Sequence, residues 1–458
     1  MVLNKEIRIF ASWFHPFLFV MVMGTGIASN LLFNFPYEAR WLRICSYPMF
    51  GLAVLLLLYF HLLHLVHLIV FVKDNSWKAY MDKYFRDTTI NGCWGTYPMG
   101  FITIINYIFQ LARNRVESRV RAKHMIRLAY VMWWYILTIS LLCAWGITYA
   151  VWQKQYKKGG KGSYKSYEEK VIFEQLNTSL LLIVIPLVVA SSCGGLLTSA
   201  DLFPEAFNRN IHLMTIVITM LTWLHSLGFV ALLFAINFWN LYVNKLPSML
   251  KVFTIFLFLG PMGQGAYGIN LITENIRLYV ERNYPTNGSD FERDVLLLAV
   301  PWCFKIIGLI LALLLLAFGY FFTVIGFVSI ASYLTTSVEA TIGEGVKRRR
   351  IYNFHRGWFA MTFPMGTMSL GSTSIWDLYN DYVPMKTFRV LGAIYAVISI
   401  FWTLVCLTGT VYQSILPKIK TWYTQAHDKG QETDATGRTS KELPITPSQS
   451  LESYISTP

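Results

Sequence analysis

The sequence predicts an all-α polytopic membrane protein: ten transmembrane helices, paired as five helical hairpins around a central pore. Three observations carry this reading. Hydrophobic residues make up 55% of the chain and charged residues only 14%, against about 25% charged in a soluble domain. The apolar residues come in blocks of about 18 or more, the length that crosses a bilayer core. Finally, one tripeptide recurs within those blocks, at Pro98-Met99-Gly100, Pro261-Met262-Gly263 and Pro364-Met365-Gly366, the mark of an internal repeat.

The predicted spans are 14–33, 45–72, 92–112, 126–152, 176–200, 211–243, 248–273, 295–333, 355–375 and 387–412. Those at 45–72, 211–243 and 295–333 exceed the roughly 20 residues a crossing needs, so they tilt or extend beyond the membrane. Taken in order, the spans alternate in character. The first carries Pro16, Met23-Gly24-Thr25-Gly26 and Ser29. The third has Gly95, Thr96, Pro98 and Gly100; the fifth has Pro186 and Ser191-Ser192-Cys193-Gly194-Gly195. The seventh has Gly260, Pro261, Gly263, Gln264, Gly265 and Gly268. The ninth has Pro364, Gly366, Thr367, Ser369, Gly371 and Ser372. The even spans are bulkier, as in Leu311-Ala312-Leu313-Leu314-Leu315-Leu316, with no proline at matching depth. The repeating unit is therefore one inner and one outer helix, five times over.

A proline in mid-helix costs about 3 kcal/mol and frees a carbonyl. Lipid tolerates that carbonyl only where protein buries it or a watery cavity meets it. Five such helices side by side enclose a channel lined or kinked by Pro16, Gly24, Thr25, Thr96, Pro98, Pro186, Ser191, Ser192, Pro261, Gln264, Pro364, Thr367 and Ser369. The alternative is that Gly and Pro simply allow close helix packing. A cation path shows inward Asp or Glu, and these spans bear almost none. Their hydroxyls, amides and helix ends suit a small anion. Tyr97 before Pro98 and Phe363 before Pro364 could each plug the channel, or pack between helices.

The net charge of +14 reads as Lys and Arg gathered in cytoplasmic loops; no nucleic-acid-binding motif is present. An even span count puts both termini on one side. The lysine-rich stretch 153–175 and Lys347-Arg348-Arg349-Arg350 make that side cytoplasmic, while the basic connection 113–127 argues the other way. The expected layout is a short cytoplasmic N-terminus (1–13), a transporter domain (14–415) and a cytoplasmic, largely disordered tail (416–458) rich in Ser, Thr, Pro and charge. Asn287-Gly288-Ser289 falls in an outer loop as a candidate glycosylation site. Six scattered cysteines without a CxxC read as free thiols.

His61, His64 and His67 share one helix, spread over about 120° of its face. A metal would need ligands from another helix, so interhelical hydrogen bonds are the competing reading. Lys305, well inside a span, either adds positive potential near the pore or snorkels to the interface. His355 and Arg356 could gather anions at the cytoplasmic mouth, or simply sit at a solvated helix start. No Ser-His-Asp pattern, HExxH, phosphate loop or dinucleotide loop occurs, so neither an enzyme nor a cofactor is expected.

The stretches 94–100, 259–265, 300–305 and 362–371, together with 34–43, resemble the sulfite-exporting fungal members of the tellurite-resistance/dicarboxylate transporter family. The resemblance runs from about residue 13 to 415. It implies ten helices as five hairpins around one pore in each subunit of a homotrimer, embedded in the plasma-membrane bilayer. It implies sulfite or bisulfite as the exported anion, with malate or another anion as the alternative. It also implies that a phenylalanine of the ninth span occludes the pore. Phe363 is the match, with Phe359 one turn earlier as the alternative.

Overall fold

Inside a bilayer every backbone N–H and C=O must find its partner within the chain, and this chain does so almost entirely as helix. The computed structural model describes residues 5–87, 90–114, 116–157, 180–284, 291–342 and 345–415. The helices are α1 (Lys5–Ala11), α2 (Phe19–Phe33), α3 (Arg40–Asp74), α4 (Trp77–Tyr84), α5 (Thr96–Asn114), α6 (Arg119–Leu141) and α7 (Thr148–Lys157). They continue as α8 (Leu181–Thr198), α9 (Leu202–Ala206), α10 (Arg209–Asn244), α11 (Leu259–Asn283), α12 (Phe291–Ser332), α13 (Thr362–Tyr379) and α14 (Lys386–Thr410). Between α12 and α13 an antiparallel hairpin pairs β1 (Ser337–Ile342) with β2 (Gly345–Arg350). The sequence had suggested only a basic connection there. The tail 416–458 and the sequon at Asn287 lie outside the described residues.

Burial sorts the long helices into two classes. In the apolar windows of α2, α8 and α11, 83%, 100% and 89% of residues are buried. In those of α3, α6, α10, α12 and α14 the shares are 28%, 44%, 28%, 28% and 33%. Among the described residues, eight helical segments are long and apolar enough to cross a membrane. The third and ninth predicted spans, α5 and α13, are not among them, yet both are buried along nearly their whole length. A helix surrounded by protein has little lipid-facing surface to make apolar, which explains their more polar composition.

The five buried helices close a ring. α2 packs on α5, α5 on α8, α8 on α11, α11 on α13, and α13 back on α2. Each outer helix packs on the inner helix before it and also touches the next, as α3 does with α2 and α5, and α14 with α13 and α2. The inner helices run parallel. Gly24 faces Thr362 and Gly95 faces Leu182, beginning against beginning, while Asn275 reaches Gly195 and Thr198, end against end. The outer helices are long, as expected. α12, with 42 residues, is about 63 Å at 1.5 Å per residue, twice a hydrocarbon core of about 30 Å.

The prolines sit differently from the expectation. Four inner helices are entered through 3-10 segments, Pro16–Leu18, Asn91–Gly95, Val252–Phe258 and Arg356–Met361. Pro98, Pro261 and Pro364 are each the third residue of the α-helix that follows. In a first turn the missing N–H removes little, so these are junction residues rather than mid-helix kinks. Pro186 alone of the five lies deeper inside its helix. Proline is also present in the outer class, at Pro48 and Pro301.

Small residues set how closely the ring closes. A Cβ on Gly263 would lie 2.4–2.6 Å from the Thr367–Met368 backbone of α13, and one on Gly371 2.6 Å from the Gly263 carbonyl. Gly263→Val should therefore cost about 3 kcal/mol through overpacking, read as a lower unfolding temperature in detergent. Gly51→Val, where nothing lies within 4 Å, should leave that temperature unchanged. Equal behaviour of the two variants would contradict this account of ring closure.

Candidate functional site

A helix turns about 100° per residue, so its known contacts fix which side chains face the ring axis. On α13, Thr362 and Gly366 turn to α2, where they meet Gly24 and Ile27. Thr367 and Gly371 turn to α11, and Ser369 donates to the Gly392 carbonyl of α14 at 2.7 Å. The face left between α2 and α11, away from α14, holds Phe363, Leu370 and Asp377, spaced by seven. Phe363 is 3% exposed, Leu370 half-buried and Asp377 exposed. Exposure along this stripe thus rises from Phe363 to Asp377, towards the C-terminal end of α13.

Tyr97 occupies the equivalent place on α5 but faces the other way. Its phenol is 3.1 Å from His61 Nε2 on α3 and 3.0 Å from the Tyr135 hydroxyl on α6. That pair of bonds turns the ring outward between two outer helices. Phe359, in the lead-in to α13, is buried with its ring 6.5 Å from that of Phe354. Phe363 makes no ring contact among the described residues.

The hydroxyls expected to line the channel are largely spent on backbone. Thr25 donates to Met21 O at 2.7 Å, Thr96 to Cys93 O at 2.7 Å, and Thr367 to Pro364 O at 2.7 Å. Ser191 and Ser192 donate to Val188 O and Val189 O, each at 2.8 Å. Gln264 Nε2 in turn donates to Ser192 Oγ, joining α11 to α8. Gly24 lies at the α2–α13 contact. These residues fasten the ring together, and a hydroxyl whose proton is already donated cannot give it to an anion. Close helix packing would make the same bonds and contacts.

At the N-terminal ends two inner helices begin alike. His15 Nδ1 accepts from Phe17 N–H at 3.1 Å, and His355 Nδ1 from Gly357 N–H at 3.2 Å. Both histidines cap the lead-in segments of neighbouring helices. Arg356 is exposed beside them, close enough for its charge to act on His15. The three histidines of α3 are separately employed. His61 binds Tyr97, His64 Nε2 lies 3.0 Å from Tyr80, and His67 links Ala11 O (2.8 Å) to Tyr84 (2.8 Å). Burial pushes the Tyr84 phenol up to about 12, which keeps it a donor. No metal-ligating cluster occurs among the described residues, and all six cysteines are free.

Lys305 neither faces the axis as a bare cation nor snorkels. It is 2% exposed, with Nζ 3.1 Å from Glu274 Oε2 and over the rings of Trp302, Tyr379 and Tyr382. Arg277 holds the same carboxylate and, at 2.6 Å, Glu281 as well. Sequence reasoning could not pair Lys305 with Glu274, because the two lie on different helices, although Glu274, Arg277 and Glu281 follow one another on α11. It missed Asp377 for another reason: the ninth span was ended at 375, although Asp377 continues the seven-residue spacing of Phe363 and Leu370.

Comparisons with known proteins agree with this architecture. A family model described as SLAC1, voltage-dependent anion channel, matches residues 13–411. The sulfite efflux pump SSU1 of Saccharomyces cerevisiae is 49% identical over 402 residues, 87% of each chain. Its namesake in Candida albicans is 28% identical over 88% of this chain and 74% of its own. That of Arthroderma otae is 25% identical over 88% and 91%.

The ion network gives a graded expectation. Glu274→Gln leaves Lys305 buried without its counter-charge and should cost about 3 kcal/mol. Lys305→Met should cost less, since Glu274 keeps Arg277. Unfolding temperatures in detergent would order the variants, and the reverse order would reject the pairing.

Proposed function

The chain belongs to the SLAC1 voltage-dependent anion channel family, and on that premise we propose that it exports sulfite or bisulfite along the axis of the five-helix ring. The observation that carries the substrate is the 49% identity, over nearly nine-tenths of both chains, to a protein named for sulfite efflux. The ten long helices form five hairpins that all cross the plasma membrane, with both termini in the cytoplasm, and the assembly is a homotrimer. The lysine-rich and arginine-rich connections support that orientation.

Phe363 is the gate. The support is its position: an apolar, buried ring on the axis-facing stripe of α13. Thr367 and Ser369 beside it face neighbouring helices, so an anion meets a hydrophobic constriction there. No ATP-binding loop is needed. An inside-negative potential drives an anion outward by about 2.3 kcal/mol per charge per 100 mV, so opening the constriction is enough for efflux. Arg356 and the capped helix starts near His15 and His355 draw anions to the inner mouth. The chain acts as a transporter, without catalysis.

Purified protein in liposomes tests both parts. Sulfite efflux under an inside-negative potential is expected. Malate flux without sulfite flux would replace the substrate. Phe363→Ala should raise basal sulfite flux at least about tenfold, the effect of removing about 1.4 kcal/mol from the barrier. Phe359→Ala should not, and the opposite result would move the gate to Phe359.

A further inference from the structure

α5 carries a second axis-facing stripe that neither ring packing nor the gate uses. Its outer face is fixed by Tyr97, bonded to α3 and α6, and by Phe101, whose ring lies 5.8 Å from Tyr135. Its side towards α2 is fixed by Gly100 and Thr103, which meet Val22 and Gly26. Asn106, Gln110 and Arg113 lie about 140°, 180° and 120° round the helix from Phe101, on the opposite face. Asn106 is 8% exposed and Gln110 7% exposed. Their amide oxygens are buried without a hydrogen-bond partner, and neither amide makes a hydrogen bond among the described residues. Arg113 continues the stripe into solvent and forms no ion pair among the described residues.

Buried amides are normally satisfied. Two on one face, a turn apart and both aimed at the axis, mark a place completed by something that passes. The geometry points to Asn106 and Gln110 as consecutive oxyanion-binding stations between the Phe363 constriction and the outer mouth, with Arg113 as the cation that draws the ion onward. This rests on the reading of the ring as a sulfite path.

The chemistry suits that cargo. An amide N–H donates to a sulfite oxygen, and an amide oxygen accepts from the O–H of bisulfite, so one side chain serves both protonation forms. The hydroxyls elsewhere in the ring have already donated their protons. A neutral amide also binds weakly, and conduction needs sites that release as readily as they bind. The facing groups are Tyr267 on α11, electrostatically coupled to both Arg113 and Asp377, and Asp377 itself on α13. The charge that acts on Asp377 comes from Arg389 of α14, so Arg113 is left to act on the path itself.

The test measures sulfite efflux from liposomes at two ionic strengths. Wild-type protein that moves no sulfite would defeat the functional reading itself. Given wild-type flux, Asn106→Leu and Gln110→Leu should each lower sulfite efflux about tenfold. Folded variants that transport at the wild-type rate would overturn the stations. Because a buried substitution can impair folding, the exposed Arg113→Gln supplies an independent reading. It should reduce flux several-fold at low salt and much less at high salt, where screening already hides the charge. Flux unchanged by Arg113→Gln at both ionic strengths would overturn its role.

Discussion

Backbone-to-backbone approach among the five inner helices is the constraint on which the rest of the structure depends. Lipid tails are as apolar as leucine, so apolar burial does not drive these helices together; close packing and hydrogen bonds do. At Gly263 and Gly371 the α11 and α13 backbones come near enough to exclude any side chain. Phe363, on the same helix as Gly371, is buried in the ring drawn by that approach. The outer helices can be bulky because they face the ring on one side only.

Polar groups follow from the same constraint. Serine and threonine spend their protons on carbonyls, and asparagine and glutamine stitch helix to helix, as Asn275 does to Gly195 and Gln264 to Ser192. The buried cation Lys305 is held by Glu274 and covered by aromatic rings. Among the described residues this charged network ties α11 to α12 towards the C-terminal end of α11.

Much of this was legible in the chain. The alternation of small, proline-bearing spans with bulky ones announced an inner and an outer class of helix, because lipid and protein surroundings select different side chains. Two predicted spans, α5 and α13, fall short of the apolarity of a membrane crossing; their burial among the other helices explains that composition. The direction of each hydroxyl was not legible. Thr367 and Ser369 look like channel lining in a list of residues, but a rotation of about 100° per residue sends one to α11 and the other to α14. Nor could the partner of Lys305 be read, since Glu274 lies on a different helix. Proline position failed for a local reason: a 3-10 lead-in moved the starts of α5, α11 and α13 to two residues before the proline.

Tyr97 and Phe363 occupy the same place in two copies of one repeat, and a single oxygen atom separates their fates. The tyrosine hydroxyl is anchored to two outer helices, so moving that ring means breaking hydrogen bonds. Phenylalanine has no such tether. A ring held by packing alone can change rotamer within nanoseconds once its neighbours give it room. With Phe363 as the proposed gate, the duplicated architecture divides labour between its copies: one repeat supplies a fixed strut, the other a shutter whose speed is limited by the breathing of the surrounding helices.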